Sequence, residues 1–248
     1  MSGHSKWSTI KRKKGAADAK RSKEFSRIVK EIHIAVKEGG NSDPDANPRL
    51  RLALQNAKGV NMPKDNIERA INKASGEGES LQEVTFEGYA PHGIALFIEC
   101  LTDNNLRTIS QVRAVFNKRN GTLGTNGSLS FLFDRKGVFV VPKGDLDVEE
   151  FELEIIDAGV EDIDEVEDKL IVYCPMEDFG NVQKKLEEMG IEAENAELQR
   201  IANNTKNLTV EESIQILKII DEFEELDDVQ NIYHSLEVTD EVIDAMEE

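Results

Sequence analysis

Residues with chemistry to offer are scattered through most of this 248-residue chain and concentrated only at its start. The run Gly121-Thr122-Leu123-Gly124-Thr125-Asn126-Gly127 has the glycine density of a loop that cradles a phosphate on backbone N–H groups ahead of a helix. No Gly-Lys-Ser/Thr follows it and it leads into a strand pattern, so the residues support a glycine-rich turn. His4, His33, His92 and His234 lie far apart, with no GxSxG elbow and no HExxH pair, and each is as open to a surface or cap role as to a catalytic one. Cys100 and Cys174 form no CxxC spacing and sit in apolar strand patterns, where a small buried thiol is expected. The acidic pairs Glu149/Glu150 and Glu224/Glu225 fall on charged helix faces and read as solvated surface. No catalytic residue, cofactor, metal site or small-molecule substrate is expected.

The first 30 residues differ. Lys6, Lys11, Arg12, Lys13, Lys14, Lys20, Arg21, Lys23, Arg27 and Lys30 stand there against Asp18 and Glu24 alone. Like charges at this density cost stability unless a polyanion compensates, so contact with nucleic-acid phosphates is the expected chemistry. An acidic partner, a membrane surface and plain solvation are the competing explanations. Trp7, the only tryptophan, has two roles open to it: stacking on a base, or anchoring the basic segment on the helical domain. Arg107, Arg113, Lys118 and Arg119 share a second helix pattern and form a candidate secondary contact.

Charge is divided along the chain. Residues 1–79 hold 17 Lys+Arg and 10 Asp+Glu, whereas 80–248 hold 13 and 39, so the net −19 conceals a basic head on an acidic body. No stretch approaches the roughly 20 apolar residues needed to cross a bilayer, which argues against membrane insertion. The first 30 residues show no signal-peptide apolar region and are too lysine-heavy for a transit peptide, so a cytoplasmic location is expected.

The elements that must position the cations follow from periodicity. Phe25, Ile28, Val29, Ile32, Ala35 and Val36 recur at helical spacing, with Lys20, Lys23, Arg27, Lys30 and Lys37 on the opposite face. Gly39-Gly40 ends that helix, Asn47-Pro48 starts a second through about residue 58, and Pro63 opens a third to about 74. After the polar linker 75–80 the pattern becomes extended: strands at 83–89 and 94–101, a helix at 106–118, a strand at 128–133. A strand at 137–141, helix at 148–158, strands near 160–166 and at 169–174, helix at 177–189 and strand at 192–201 then spell βαββαβ, the split βαβ arrangement. A helix at 209–224 and a strand at 229–238 complete a shifted version of the same six-element inventory.

The expected fold class is therefore α+β: an N-terminal three-helix domain (1–79), then two ferredoxin-like α+β domains, one inserted in the other. The discontinuous domain takes 80–134 and 205–248, and the inserted one 135–204.

Several stretches together resemble one family. Gly3-His4-Ser5-Lys6-Trp7, Ile10-Lys11-Arg12-Lys13-Lys14, Asp18-Ala19-Lys20-Arg21, Asn47-Pro48-Arg49-Leu50-Arg51, Glu87-Gly88-Tyr89-Ala90-Pro91-His92-Gly93, Glu99-Cys100-Leu101-Thr102-Asp103-Asn104-Asn105 and Leu123-Gly124-Thr125-Asn126-Gly127-Ser128 are similar to the YebC/PmpR family, in the family's order. The resemblance extends from residue 3 to about 133 and weakens toward the more acidic C-terminus. It implies a three-domain, non-enzymatic, largely cytoplasmic protein. It also implies two functions: binding of promoter DNA as a transcriptional regulator, or association with the ribosome as a translation factor that helps synthesis through difficult nascent sequences.

The residues favour the second. A promoter reader normally carries Arg, Asn or Gln reaching base edges from a recognition helix and a dimer that matches two half-sites. Here the first helix presents mainly lysines and no heptad or dimer seam is visible, which favours a monomer. An acidic body disfavours wrapping along a duplex yet suits a head inserted among RNA helices recognised by shape and phosphate position. The expected partner is rRNA or the ribosome, with promoter DNA as the alternative and a protein-interaction adaptor as a third reading. The expected contacts are Lys6, Trp7, Lys11, Arg12, Lys13, Lys14, Lys20, Arg21, Lys23, Arg27 and Lys30.

Overall fold

The structure is a computed structural model that describes residues 17–76 and 81–246. In chain order its elements are α1 (Ala17–Gly39), α2 (Pro48–Gly59), α3 (Lys64–Ser75), β1 (Gln82–Ala90), β2 (Ile94–Thr102), α4 (Asn105–Lys118), β3 (Thr122–Leu123), β4 (Phe133–Pro142), α5 (Val148–Ile155), β5 (Asp162–Val166), β6 (Lys169–Pro175), α6 (Phe179–Glu188), β7 (Asn195–Ala202), α7 (Val210–Glu224), β8 (Val229–His234) and α8 (Asp240–Ala245). The class is α+β, with helices first and then two four-stranded antiparallel sheets with their helices.

The α1 stripe forms as its periodicity requires. Ile28, Ile32, Ala35 and Val36 are buried against Leu50, Ala53 and Ala57 of α2 and Ala70 and Ala74 of α3. Burying an isoleucine such as Ile32 contributes about 1.5–3 kcal/mol over leaving it exposed. Asn47, also buried, holds the corner between α1 and α2. Its Oδ1 accepts the Leu50 N–H (3.0 Å) as an N-cap, and its Nδ2 donates to the carbonyls of Ala35 (2.7 Å) and Asn41 (2.9 Å). Pro48 follows at the first helical position, where its missing N–H costs nothing.

The described chain divides into two compact units, one holding 17–76 and 135–199, the other 81–134 and 200–246. The sequence pattern separates 1–79 from 135–204, whereas their described parts pack as one unit. The reason lies in side chains far apart in sequence. Asn56 of α2 donates Nδ2–H to the Ala196 carbonyl (3.0 Å) and accepts the Ala196 N–H on Oδ1 (2.9 Å), and Gln55 donates to the Ala193 carbonyl (3.2 Å). Leu52 packs into the neighbouring core, and a Cβ at Gly59 would lie 1.7 Å from the Glu194 carbonyl oxygen, so only glycine allows the helix this close.

The sheet of that unit runs β5-β6-β4-β7, with β4 and β5 each antiparallel to β6. Numbered within the βαββαβ segment this is 2-3-1-4, the split βαβ order. Phe139, Val141, Phe151, Ile155, Leu170, Val172, Cys174, Val182 and Leu186 fill its core.

The other sheet runs β3-β1-β2-β8, all pairs antiparallel. Its inventory matches the shifted pattern, but its order, ββαβ then αβ, is not reproduced by any rotation of βαββαβ. β2 is buried along almost its whole length because both its faces are covered. Ala95 and Phe97 meet Leu129, Phe133 and Ala202, and on the helical side Phe116 of α4 packs on Phe223 of α7 at 4.8 Å between ring centres.

Some boundaries differ from those expected of the sequence. The strand expected at 128–133 is instead a short 3₁₀ turn (Ser130–Leu132), and the strand β3 is Thr122–Leu123. The cause is Glu87, whose buried carboxylate accepts the backbone N–H groups of Gly127 and Leu129 that a strand would have offered to a neighbour. The last strand ends at His234 because Lys206 pairs with Ser235 and Glu237 beyond it, and the helix α8 is too short to show as periodicity.

Candidate nucleic-acid interface

The cationic face of α1 is the candidate interface. The buried Ile28, Ile32 and Ala35 set one side of the helix, His33 and Ile34 are buried as well, and the basic residues share the remaining positions with Glu24, Glu31 and Glu38. Arg21 is exposed, with its guanidinium 5.4 Å from the Phe25 ring centre and an Nη2 contact of 3.4 Å to the Asn61 carbonyl. Lys23, Arg27 and Lys30 are half-buried, and in Arg27 the burial reaches Nε of the guanidinium. Lys37 is exposed and donates to the Gly76 carbonyl at 2.7 Å. Lys20 belongs to α1, but its side chain lies outside the described residues, as do Lys6, Trp7, Lys11, Arg12, Lys13 and Lys14.

Other cations of the helical segment serve the fold. Arg49 bridges Glu38 (2.5 Å) and Glu31 (3.3 Å), Arg51 donates to the carbonyls of Pro44 and Asp45, and Lys58 faces Glu192 at 3.4 Å.

Of the four cations on α4 and its C-cap, Arg107, Lys118 and Arg119 are likewise paired within their own unit. Arg107 Nη2 lies 2.8 Å from Asp228 and 2.7 Å from Asp103, and its hydrogen bond to Asp228 raises its pKa further above the ordinary range. Arg119 donates to both carboxylate oxygens of Glu222, and Lys118 approaches the same group at 3.4 Å. Arg113 is exposed on this helix. The candidate secondary contact thus presents far less net positive charge than its composition suggests.

The Arg119 hydrogen bond, reinforced by Lys118 and opposed by burial, holds Glu222 down from 4.5 to about 2. A depressed folded-state pKa stabilises the fold above the unfolded value and is lost as pH falls through the folded one. Glu222→Gln is expected to flatten the pH dependence of unfolding free energy between about 4.5 and about 2. Urea titrations at stepped pH measure this, and a slope equal to that of the unchanged protein would refute the linkage.

Three of the stretches that carried the resemblance, Glu87–Gly93, Glu99–Asn105 and Leu123–Ser128, take part in two clips. In the first, Gly127 N–H donates to Glu87 Oε1 (2.7 Å), Leu129 N–H to Oε2 (2.5 Å) and Gly124 N–H to the Glu87 carbonyl (2.7 Å), so the Glu87–Gly93 and Leu123–Ser128 stretches form one piece. A Cβ at Gly88 would lie 2.5 Å from the Thr122 carbonyl oxygen, so the strands could not close with a larger residue there. In the second, the buried Asp228 accepts from Thr102 (3.1 Å), Thr108 (2.8 Å) and Arg107, while Asn104 caps α4 by accepting the Arg107 N–H. Glu87 opens one of the stretches that carried the resemblance, whereas Asp228 lies in none of them. Asp228 finds its partners some 120 residues away.

The chemistry of the remaining candidates is quiet. Cys100 and Cys174 are buried, and burial pushes the Cys174 thiol up to about 11, away from the reactive thiolate. Among the described residues no group of His, Cys, Asp and Glu is placed to hold a metal ion, and no helix is long and apolar enough to cross a membrane.

Comparison with known proteins agrees along the chain. Residues 5–77 match the model of the TACO1/YebC protein N-terminal domain, and 81–236 that of the TACO1/YebC second and third domain. A "probable transcriptional regulatory protein" of Amoebophilus asiaticus is 50% identical over 95% of this chain and 98% of its own length. One of the same description from Geotalea uraniireducens is 46% identical over 99% and 100%. A crystal structure of a conserved hypothetical protein from Aquifex aeolicus superposes with a TM-score of 0.83 at 40% identity, covering 91% of this chain and 94% of that one. With both family models matched in order and full-length relatives at this identity, the chain belongs to the TACO1/YebC family.

Proposed function

We propose that this protein is a non-enzymatic, nucleic-acid-binding regulator of gene expression. The observation that carries the reading is the cationic face of α1, set in a basic head on a chain of net charge −19. Relatives described as probable transcriptional regulatory proteins support a regulatory role. Within it, the preferred mechanism is RNA or ribosome binding in translation. Lysine-rich phosphate contacts suit the shape of folded RNA, and the 39 acidic residues of 80–248 are repelled from an extended duplex. Lys6, Trp7, Lys11, Arg12, Lys13, Lys14, Lys20, Arg21, Lys23, Arg27 and Lys30 form the contact surface, and the protein acts as a monomer in the cytoplasm. Promoter DNA binding is the second reading, favoured by the names of the relatives.

A competition titration decides between them. Labelled protein is bound to purified ribosomes at near-physiological salt and challenged with excess duplex promoter DNA. Retention on the ribosome is the expected result. Displacement by duplex with clear sequence preference would make transcription the primary role.

A further inference from the structure

The Glu87 clip holds in place a loop that buries little of its own surface. Residues 124–128, 130 and 131 are exposed, while Leu129 between them is buried and acts as the anchor. Besides the two N–H groups on the Glu87 carboxylate, Thr85 Oγ1 donates to Asn126 (3.1 Å), Ser130 Oγ to the Gly127 carbonyl (3.2 Å) and Asn203 to the Phe131 carbonyl (3.2 Å). A buried carboxylate and the hydrogen bonds around it thus fix the backbone of an exposed loop, the arrangement that lowers the ordering cost of binding. At its end Phe131 stands 71% exposed. Tyr89, cross-strand from Thr122 where the loop begins, is 42% exposed, and these two are the exposed aromatic side chains among the described residues.

The surrounding charge narrows the partner. From Asn120 to Phe133 the sequence carries no charged residue, inside a body where acidic residues outnumber basic ones 39 to 13. A polyanion repelled elsewhere on 80–248 meets no acidic side chain along this loop. The exposed polar residues of the loop are Thr125, Asn126, Ser128 and Ser130, of which Asn126 accepts from Thr85 through Oδ1 and Ser130 donates to the Gly127 carbonyl. They match the hydrogen-bonding edge of a base better than an apolar peptide, which would call for a continuous greasy surface.

We propose that loop 124–131 is a binding site for an unpaired nucleobase, with Phe131 as the stacking platform and Thr125, Asn126, Ser128 and Ser130 facing the base edge. The proposal rests on the nucleic-acid reading above and adds to it a second contact, made through bases rather than phosphates.

The test uses the full chain with a short single-stranded RNA carrying 2-aminopurine and, in parallel, the duplex of the same sequence. Stacking quenches 2-aminopurine fluorescence in the wild type. Phe131→Ala is expected to lower single-strand affinity roughly five- to hundredfold, abolish the quench, and leave duplex affinity and the salt slope unchanged. Phe131→Trp should retain both affinity and quench. Because Phe131 is exposed, circular dichroism and melting of the variants should match the wild type. Equal single-strand binding by wild type and Phe131→Ala overturns the proposal alone. Wild-type behaviour of Phe131→Leu also overturns it, because an apolar contact would then suffice without a ring. If the wild type binds neither single strand nor duplex, this proposal and the nucleic-acid reading fall together.

Discussion

Replacing Lys20, Lys23, Arg27 and Lys30 together by Glu is expected to lower nucleic-acid affinity by about three orders of magnitude at 0.15 M salt while leaving the fold intact. Each phosphate neutralised on B-DNA contributes about 0.9 to the slope of log affinity against log salt, which at this ionic strength is roughly 0.7 log units per phosphate. Removing four such cations therefore approaches a thousandfold, and the introduced carboxylates add repulsion. The α1 core should hold, because Ile28, Ile32, Ala35 and Val36 are untouched. The matching four-Gln variant separates the two effects: its salt slope should fall by about three to four units without the repulsive part. Fluorescence anisotropy across a salt series reads both quantities. Affinity within tenfold of wild type for the four-Glu protein would mean that the face of α1 does not bind the nucleic acid.

Glu87→Ala should be among the most damaging single substitutions in the β1–β2 unit. The side chain is 2% exposed and accepts two backbone N–H groups, Gly127 at 2.7 Å and Leu129 at 2.5 Å. Hydrogen bonds to a charged partner are worth about 1.5–3 kcal/mol each, and their removal strands two donors, so a loss of about 3–5 kcal/mol is expected. Glu87→Gln keeps an acceptor for one donor and should cost about half as much. Urea denaturation gives the free energies, and amide exchange at Gly127 and Leu129 should accelerate in the Ala variant ahead of global unfolding. A loss below about 1 kcal/mol would show that the loop holds itself without the carboxylate.

What can be read from the sequence divides by range. The helix 17–39 is legible because Phe25, Ile28, Ile32 and Val36 declare its face within a few turns, and the Asn47-Pro48 start because a cap is a local device. The βαββαβ segment is legible because each of its elements has its own period. The strand expected at 128–133 does not form because its fate is decided by Glu87, some 40 residues earlier. The cations of α4 look available in the sequence because Asp228 and Glu222, which hold Arg107 and Arg119, lie more than 100 residues on. For the same reason the junction of α2 with β7 is invisible there: nothing near Asn56 announces Ala196. Among the described residues, the family's motifs at 47–51, 87–93, 99–105 and 123–128 are largely architectural, which is why they identify the fold more firmly than the ligand.

The pairing of Asn56 with Ala196 has a consequence for how the protein keeps to itself. β7 is an outer strand of its sheet, and an outer strand offers unpaired N–H and C=O groups to any passing chain. The Asn56 amide occupies both groups of Ala196, and Gly59 brings helix backbone against Glu194, so strand addition is blocked at that rim. The opposite rim, β5, is defended differently, by Asp162, Asp164 and Glu165. The basic helices are thus also a guard against aggregation, and a chain shorn of them would expose a sticky border that the intact molecule never shows.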